Sequence, residues 1–206
     1  MDILASSIGS LTNPFKLQRA FKSGRNSTIT DKTIKTYIDY LEEAFLLESV
    51  QRYDVKGKKY IETPLKYYFV DVGLRSSRLN FRQQEENHIM ENIIYNELRV
   101  RGYSVDIGIV DTTETGADGK RQQKRLEVDF IAWKGNAKTY IQAAFAMDEG
   151  QKEEQEKRSL QKIPDSFNKL IVVYGDIKAK RDESGIVIMG LFDFLLNPGS
   201  LHTTFP

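Results

Sequence analysis

Apolar residues recur along this chain with two periods, and the period changes partway. Ile3, Leu4, Ile8 and Leu11 fall near helical spacing. Pro14 suits the first position of a second helix, with Phe15, Leu17, Ala20 and Phe21 on its apolar side. The run from Ser23 to Thr28 has turn composition. A third helix is predicted from about Asp31 to Phe45, capped by Thr30 or Asp31, with Ile34, Ile38, Leu41 and Phe45 on one face. Leu46 to Asp54 and Tyr60 to Thr63 read as strands around the glycine turn Lys56-Gly57-Lys58-Lys59. Lys66 to Val72 reads as a further strand, and Gly73-Leu74-Arg75 as the start of a connection.

From residue 86 the pattern alternates. A long helix is expected over Glu86 to Arg101, with Met90, Ile93, Ile94 and Leu98 as its stripe and Gly102 as its left-handed stop. Strands follow at Tyr103–Val110, Leu126–Trp133 and Thr139–Met147, then a charged helix at Lys152–Ile163. Leu170–Tyr174 is wholly apolar, which predicts a central strand. Ile186–Gly190 is a last strand and Leu191–Leu196 a short helix. The polar stretch Asp111–Arg125, with Gly116 and Gly119, reads as a long mobile loop. The fold class is therefore α/β, with an αβββαβ order behind three helices and a hairpin. That leading order is the one a winged helix-turn-helix has.

Composition removes several functions. The 206 residues hold 30 basic and 29 acidic side chains, for a net charge of +1. No cysteine is present, so disulfides, thiolate metal sites and a thiol nucleophile are excluded. The charge is uneven, however. Residues 1–80 carry thirteen Lys and Arg against nine Asp and Glu, and residues 81–206 carry seventeen against twenty. No apolar run is long enough to cross a bilayer, and no signal pattern follows Met1-Asp2, so a cytoplasmic protein without membrane contact is expected. No P-loop, dinucleotide or serine-hydrolase motif occurs. The two histidines, His88 and His202, have no metal-ligand spacing, and His88 is expected on a helix surface.

The set with chemical content is Glu91, Glu127, Asp129 and Gln142. Strict alternation would put Leu126, Val128 and Phe130 on one strand face and Glu127 and Asp129 on the other. If the next strand pairs as a hairpin, Gln142 comes to face Asp129. A helix carboxylate, a strand aspartate and then a strand with E-x-K is the layout of a magnesium nuclease site, where carboxylates hold the metal and the metal activates water. Here that strand reads Gln142-Ala143-Ala144. An amide replaces the acid and a methyl replaces the lysine.

These stretches together resemble the C-terminal region of predicted bacterial and archaeal AAA-type ATPases, in which a winged helix precedes a PD-(D/E)xK nuclease-like domain of unknown function. The resemblance rests on Ile8-Gly-Ser10, Thr33–Phe45, Val50–Lys59, Lys66–Arg75, Glu91–Leu98 with Arg101-Gly-Tyr103, Glu127–Phe130 and Tyr140–Gln142. It implies a restriction-endonuclease-like αβββαβ core at residues 76–206 behind a winged helix-turn-helix at residues 1–75. It implies a non-catalytic accessory region for nucleic-acid or partner recognition, because the nuclease site is degenerate. An active magnesium-dependent DNA nuclease, and a protein-interaction or oligomerisation module without nucleic acid, are the alternatives. Glu91 and Asp129 are the expected metal ligands should magnesium bind; ATP enters only with an upstream ATPase module. Lys32 and Lys35 on the third helix, with Arg52, Lys56, Lys58 and Lys59 on the wing, are the expected DNA contacts through phosphates. Lys120, Arg121, Lys124 and Arg125 are expected in a mobile solvated loop, with contact to nucleic acid as the alternative.

Overall fold

The computed structural model describes residues 1–25, 28–82, 85–115, 120–146 and 151–201. The turn at residues 26–27, the glycines at 116 and 119, the strand end at 147 and His202 lie outside them. The chain is a mixed α/β structure whose contacts divide it into two compact units, Met1–Gln51 with Ile61–Ile93, and Arg52–Tyr60 with Ile94–Pro206.

The first unit begins with α1 (Asp2–Ala5), a single turn that buries Leu4. The expected longer helix stops there; Ile8 is buried all the same, in a non-helical segment that turns at Gly9 with φ +70°. α2 (Pro14–Arg25) buries Leu17 but leaves Phe15 exposed. α3 (Asp31–Glu43) is capped by Thr30, whose hydroxyl accepts the Thr33 N–H at 3.2 Å. Ile34 and Ile38 face inward. Phe45, expected on the same stripe, lies past the helix end with positive φ and is 77% exposed.

β1 (Leu47–Asp54) and β2 (Lys59–Phe69) follow. The two strands expected at residues 60–63 and 66–72 are one strand, and it ends earlier. Asp71 caps α4 (Val72–Arg78) by accepting the Leu74 N–H at 3.0 Å, so the expected connection is helical. Arg75 on α4 is fully buried and donates to the Ala5 carbonyl at 2.9 Å and to Glu85 at 3.0 Å. α5 (Glu86–Val100) contributes its residues up to Ile93 to this unit. Its Asn92 side chain accepts the Phe69 N–H and donates to the Phe69 carbonyl, at 2.9 and 2.8 Å, which ties α5 to β2.

In the second unit the strands run in the order β1-β3-β4-β5-β6-β8-β7. β3 is Ser104–Thr115, β4 Arg121–Lys134, β5 Ala137–Ala144, β6 Asn168–Val173, β7 Lys180–Arg181 and β8 Val187–Gly190. Arg52–Asp54 of β1 pair parallel with β3; β3, β4 and β5 form an antiparallel meander; β6 and β8 join in parallel. α6 (Gln151–Gln161) connects β5 to β6, and α7 (Leu191–Leu196) follows β8. β6 lies inside the sheet, and its apolar run Leu170–Val173 is buried, as its sequence predicts. Gly102 closes α5 with φ +78°. Arg101 donates to the carbonyls of Phe194 and Leu195 at the end of α7.

Residues 111–115 and 121–125 of the expected loop form a β-ribbon. Asp111 pairs with Arg125 and Thr115 with Arg121, in continuous antiparallel register. Threonines at 112, 113 and 115 favour extended backbone, and polarity alone did not separate a solvated ribbon from a loop.

Candidate functional site

A bulge in β4 sets the geometry around Asp129. Asp106 pairs with Ile131 and Gly108 with Val128, so Ile107 alone stands opposite both Asp129 and Phe130. The alternation expected from the sequence breaks there. Val128 and Ile131 enter one core cluster with Tyr140, Ala144 and Leu160, whereas Phe130 packs against the Tyr95 ring at 6.1 Å. Gly108 faces the bulge: a Cβ there would lie 2.9 Å from the Val128 Cβ and 3.2 Å from Ile131.

The β4–β5 ladder ends at the pair Phe130 and Ile141, and beyond it β5 stays paired with β6. Asp129 spans the parting. Its Oδ2 accepts the Ala143 N–H at 2.8 Å. The Gln142 Oε1 accepts weakly from the Ser159 hydroxyl of α6 at 3.4 Å. Glu127 is half-buried opposite Ile109, near enough to Arg52 to act on its charge.

Glu91 belongs to the first unit and has a different setting. It is 7% exposed. Its Oε1 accepts from the buried Lys66 ammonium at 2.9 Å and from the Tyr68 hydroxyl. His88 Nδ1 lies 3.6 Å from its Oε2, one helical turn earlier. His88 is thus half-covered by a carboxylate rather than a plain surface residue. Burial alone would raise the Glu91 carboxyl; the Lys66 charge, the nearby His88 ring and the bonds from Tyr68 and Lys66 outweigh it and hold it below the usual carboxylate range. The Glu91 carboxylate 3.6 Å away raises the His88 imidazole against the opposing effect of burial. Sequence reasoning missed Lys66 and Tyr68. The available signal was their i, i+2 spacing on a strand, which puts both on one face.

Among the described residues no three His, Asp or Glu side chains gather as a metal-ligand group. The expected DNA contacts divide between the units. Lys32 and Lys35 are exposed on α3, and Lys35 pairs with Asp39 at 2.8 Å. Arg52, Lys56, Lys58 and Lys59 belong to the second unit. Arg52 is buried in the sheet, which lowers its pKa, with Arg125 adding to the effect. Lys58 and Lys59 are exposed, and Lys56 donates to the Asp111 carbonyl at 2.7 Å. No described helix is long and apolar enough to cross a membrane.

Residues 1–85 match a family described as a domain of unknown function, DUF8612. The chain is 35% identical over 193 residues to an uncharacterised protein of Haemophilus influenzae, covering 94% of this chain and 44% of that one. It is 27% identical over 155 residues to an uncharacterised protein of Methanocaldococcus jannaschii, covering 73% of this chain and 32% of that one. The chain therefore spans less than half the length of these relatives. No solved structure matches it.

Proposed function

We propose that this region is a non-catalytic recognition module with a degenerate nuclease-like core, the accessory part of a longer AAA-type ATPase polypeptide. The observation that carries the reading is the engagement of Asp129. Its carboxylate bridges the gap between β4 and β5 by accepting the Ala143 N–H, and Ala144 supplies a methyl where E-x-K has its lysine. The carboxylate thereby repairs a backbone donor that the bulge leaves without its ladder partner.

The α5-β3-β4-β5-α6-β6 order is consistent with a PD-(D/E)xK core, and the α1-α2-α3-hairpin order with a winged helix that recognises nucleic acid or a partner protein. The greater length of both relatives supports a further module in the full polypeptide. The donors argue against resident magnesium, which needs oxygen ligands in near-octahedral geometry. An ammonium 2.9 Å from Glu91 Oε1 opposes a divalent cation there, and Asp129 already holds a backbone amide. Calorimetric titration with Mg²⁺ and with Mn²⁺ tests this. No heat of binding is expected at millimolar metal; uptake that disappears in Asp129→Asn would overturn the reading.

A further inference from the structure

The structure joins two basic runs that lie sixty residues apart in the sequence. In the second unit, the β1–β2 turn packs beside the β3–β4 ribbon. Val55 N–H donates to the Ile109 carbonyl at 2.9 Å, and the Lys56 ammonium reaches the Asp111 carbonyl at 2.7 Å. β1 pairs with β3 only as far as Ile109, so from Asp111 onward the ribbon is two-stranded. Its two faces differ. Thr112 and Glu114 are half-covered, and Glu114 accepts from Arg158 of α6. The other face is exposed and presents Asp111, Thr113, Thr115, Arg121, Gln123 and Arg125.

Charge on this exposed face is one-sided. Lys56, Lys59, Arg121 and Arg125 meet two carboxylates. Asp54 is used to close the turn by accepting the Lys56 and Gly57 N–H groups. Asp111 pairs with Arg125 at 2.9 Å, and the charges of Lys56 and Lys59 also help hold its carboxyl below the usual range. We propose that this composite surface, ribbon plus turn, binds duplex DNA, with the lysines on phosphates and the Arg121–Gln123 edge in the major groove.

Three features select that partner. A two-stranded ribbon fits the B-form major groove, about 12 Å wide, but not the deep, narrow groove of duplex RNA. Threonine, glutamine and arginine supply donors and acceptors for phosphates and base edges. The described residues of the exposed ribbon face carry no apolar side chain, which leaves this face nothing to insert into lipid. The proposal deepens the recognition reading by naming the partner and the surface. It replaces α3 as the principal contact.

Fluorescence anisotropy with a labelled duplex of about 20 base pairs, in EDTA and at 50 to 200 mM salt, tests it. Affinity should fall with salt at a log–log slope of about −2, since each of the two lysine–phosphate contacts contributes about −0.9. Arg121→Glu and Lys59→Glu, both at exposed positions, should each weaken binding on the order of tenfold. Lys32→Glu and Lys35→Glu on α3 should weaken it much less, by under about threefold each, and circular dichroism should show all four folded. Absence of binding at 50 mM salt, loss through the α3 variants instead, or tighter binding to phosphatidylserine vesicles than to DNA would each overturn it. Because EDTA removes metal, this result stands or falls separately from metal uptake.

Discussion

At the scale of single residues, Glu91 illustrates how a motif position acquires its role from partners that the motif does not name. The periodicity of α5 placed it beside an apolar stripe, and the structure does bury it. Its ion pair with Lys66 has both side chains less than a tenth exposed. Removing one member of such a pair strands the other charge in a dry site. Glu91→Gln should therefore destabilise the fold by about 3–5 kcal/mol in urea unfolding, and the apolar double variant Lys66→Met, Glu91→Leu should recover most of that loss. Asp106 offers a pH test. It is buried and accepts from Trp133 Nε1 at 2.8 Å and Tyr60 at 3.2 Å. Burial raises its carboxyl despite those two bonds. Between its unfolded pKa and the raised folded one, the folded state holds the extra proton, so this group's contribution to stability falls as pH rises through that window. Asp106→Asn keeps an acceptor without the charge. It should melt higher than the parent at pH 8, and the gain should vanish near pH 3.

At the scale of elements, the sequence announced helices and strands through period and caps, and it failed where one residue changed the register. Thr30 and Gly102 mark the start of α3 and the stop of α5 as their types predict. The bulge at Asp129 and Phe130 has no such mark, because Leu-Glu-Val-Asp-Phe alternates without a break. The clue lies on the partner strand, where Gly108 leaves room against Val128 and Ile131. Gly108→Ala should cost about 1–3 kcal/mol through overpacking, read as a lower urea midpoint with an unchanged slope. The ribbon of residues 111–115 and 121–125 was hidden for a different reason. Its exposed face needs no apolar residue, so hydrophobic alternation could not reveal it. Arg125, Lys124 and Arg121 consequently looked like loop charge, although pairing with β3 fixes the face each one takes.

At the scale of the whole molecule, the near-zero net charge conceals a local excess that only topology exposes. The division at residue 80 assigned the positive half to the helical module, yet Lys56, Lys58 and Lys59 belong with the second unit. The αβββαβ order was legible because each element has a long, regular pattern. The state of the Asp129 site was legible in part: Gln142-Ala143-Ala144 shows an amide and a methyl where the resemblance implies an acid and a lysine, but not that Asp129 would be engaged by the Ala143 amide. The central claim is that this core recognises and does not cut. Its most direct measurement is incubation of the purified chain with supercoiled and linear DNA in Mg²⁺ or Mn²⁺, in parallel with Asp129→Asn. The account predicts intact DNA with both proteins; cleavage by the parent that Asp129→Asn abolishes would contradict it.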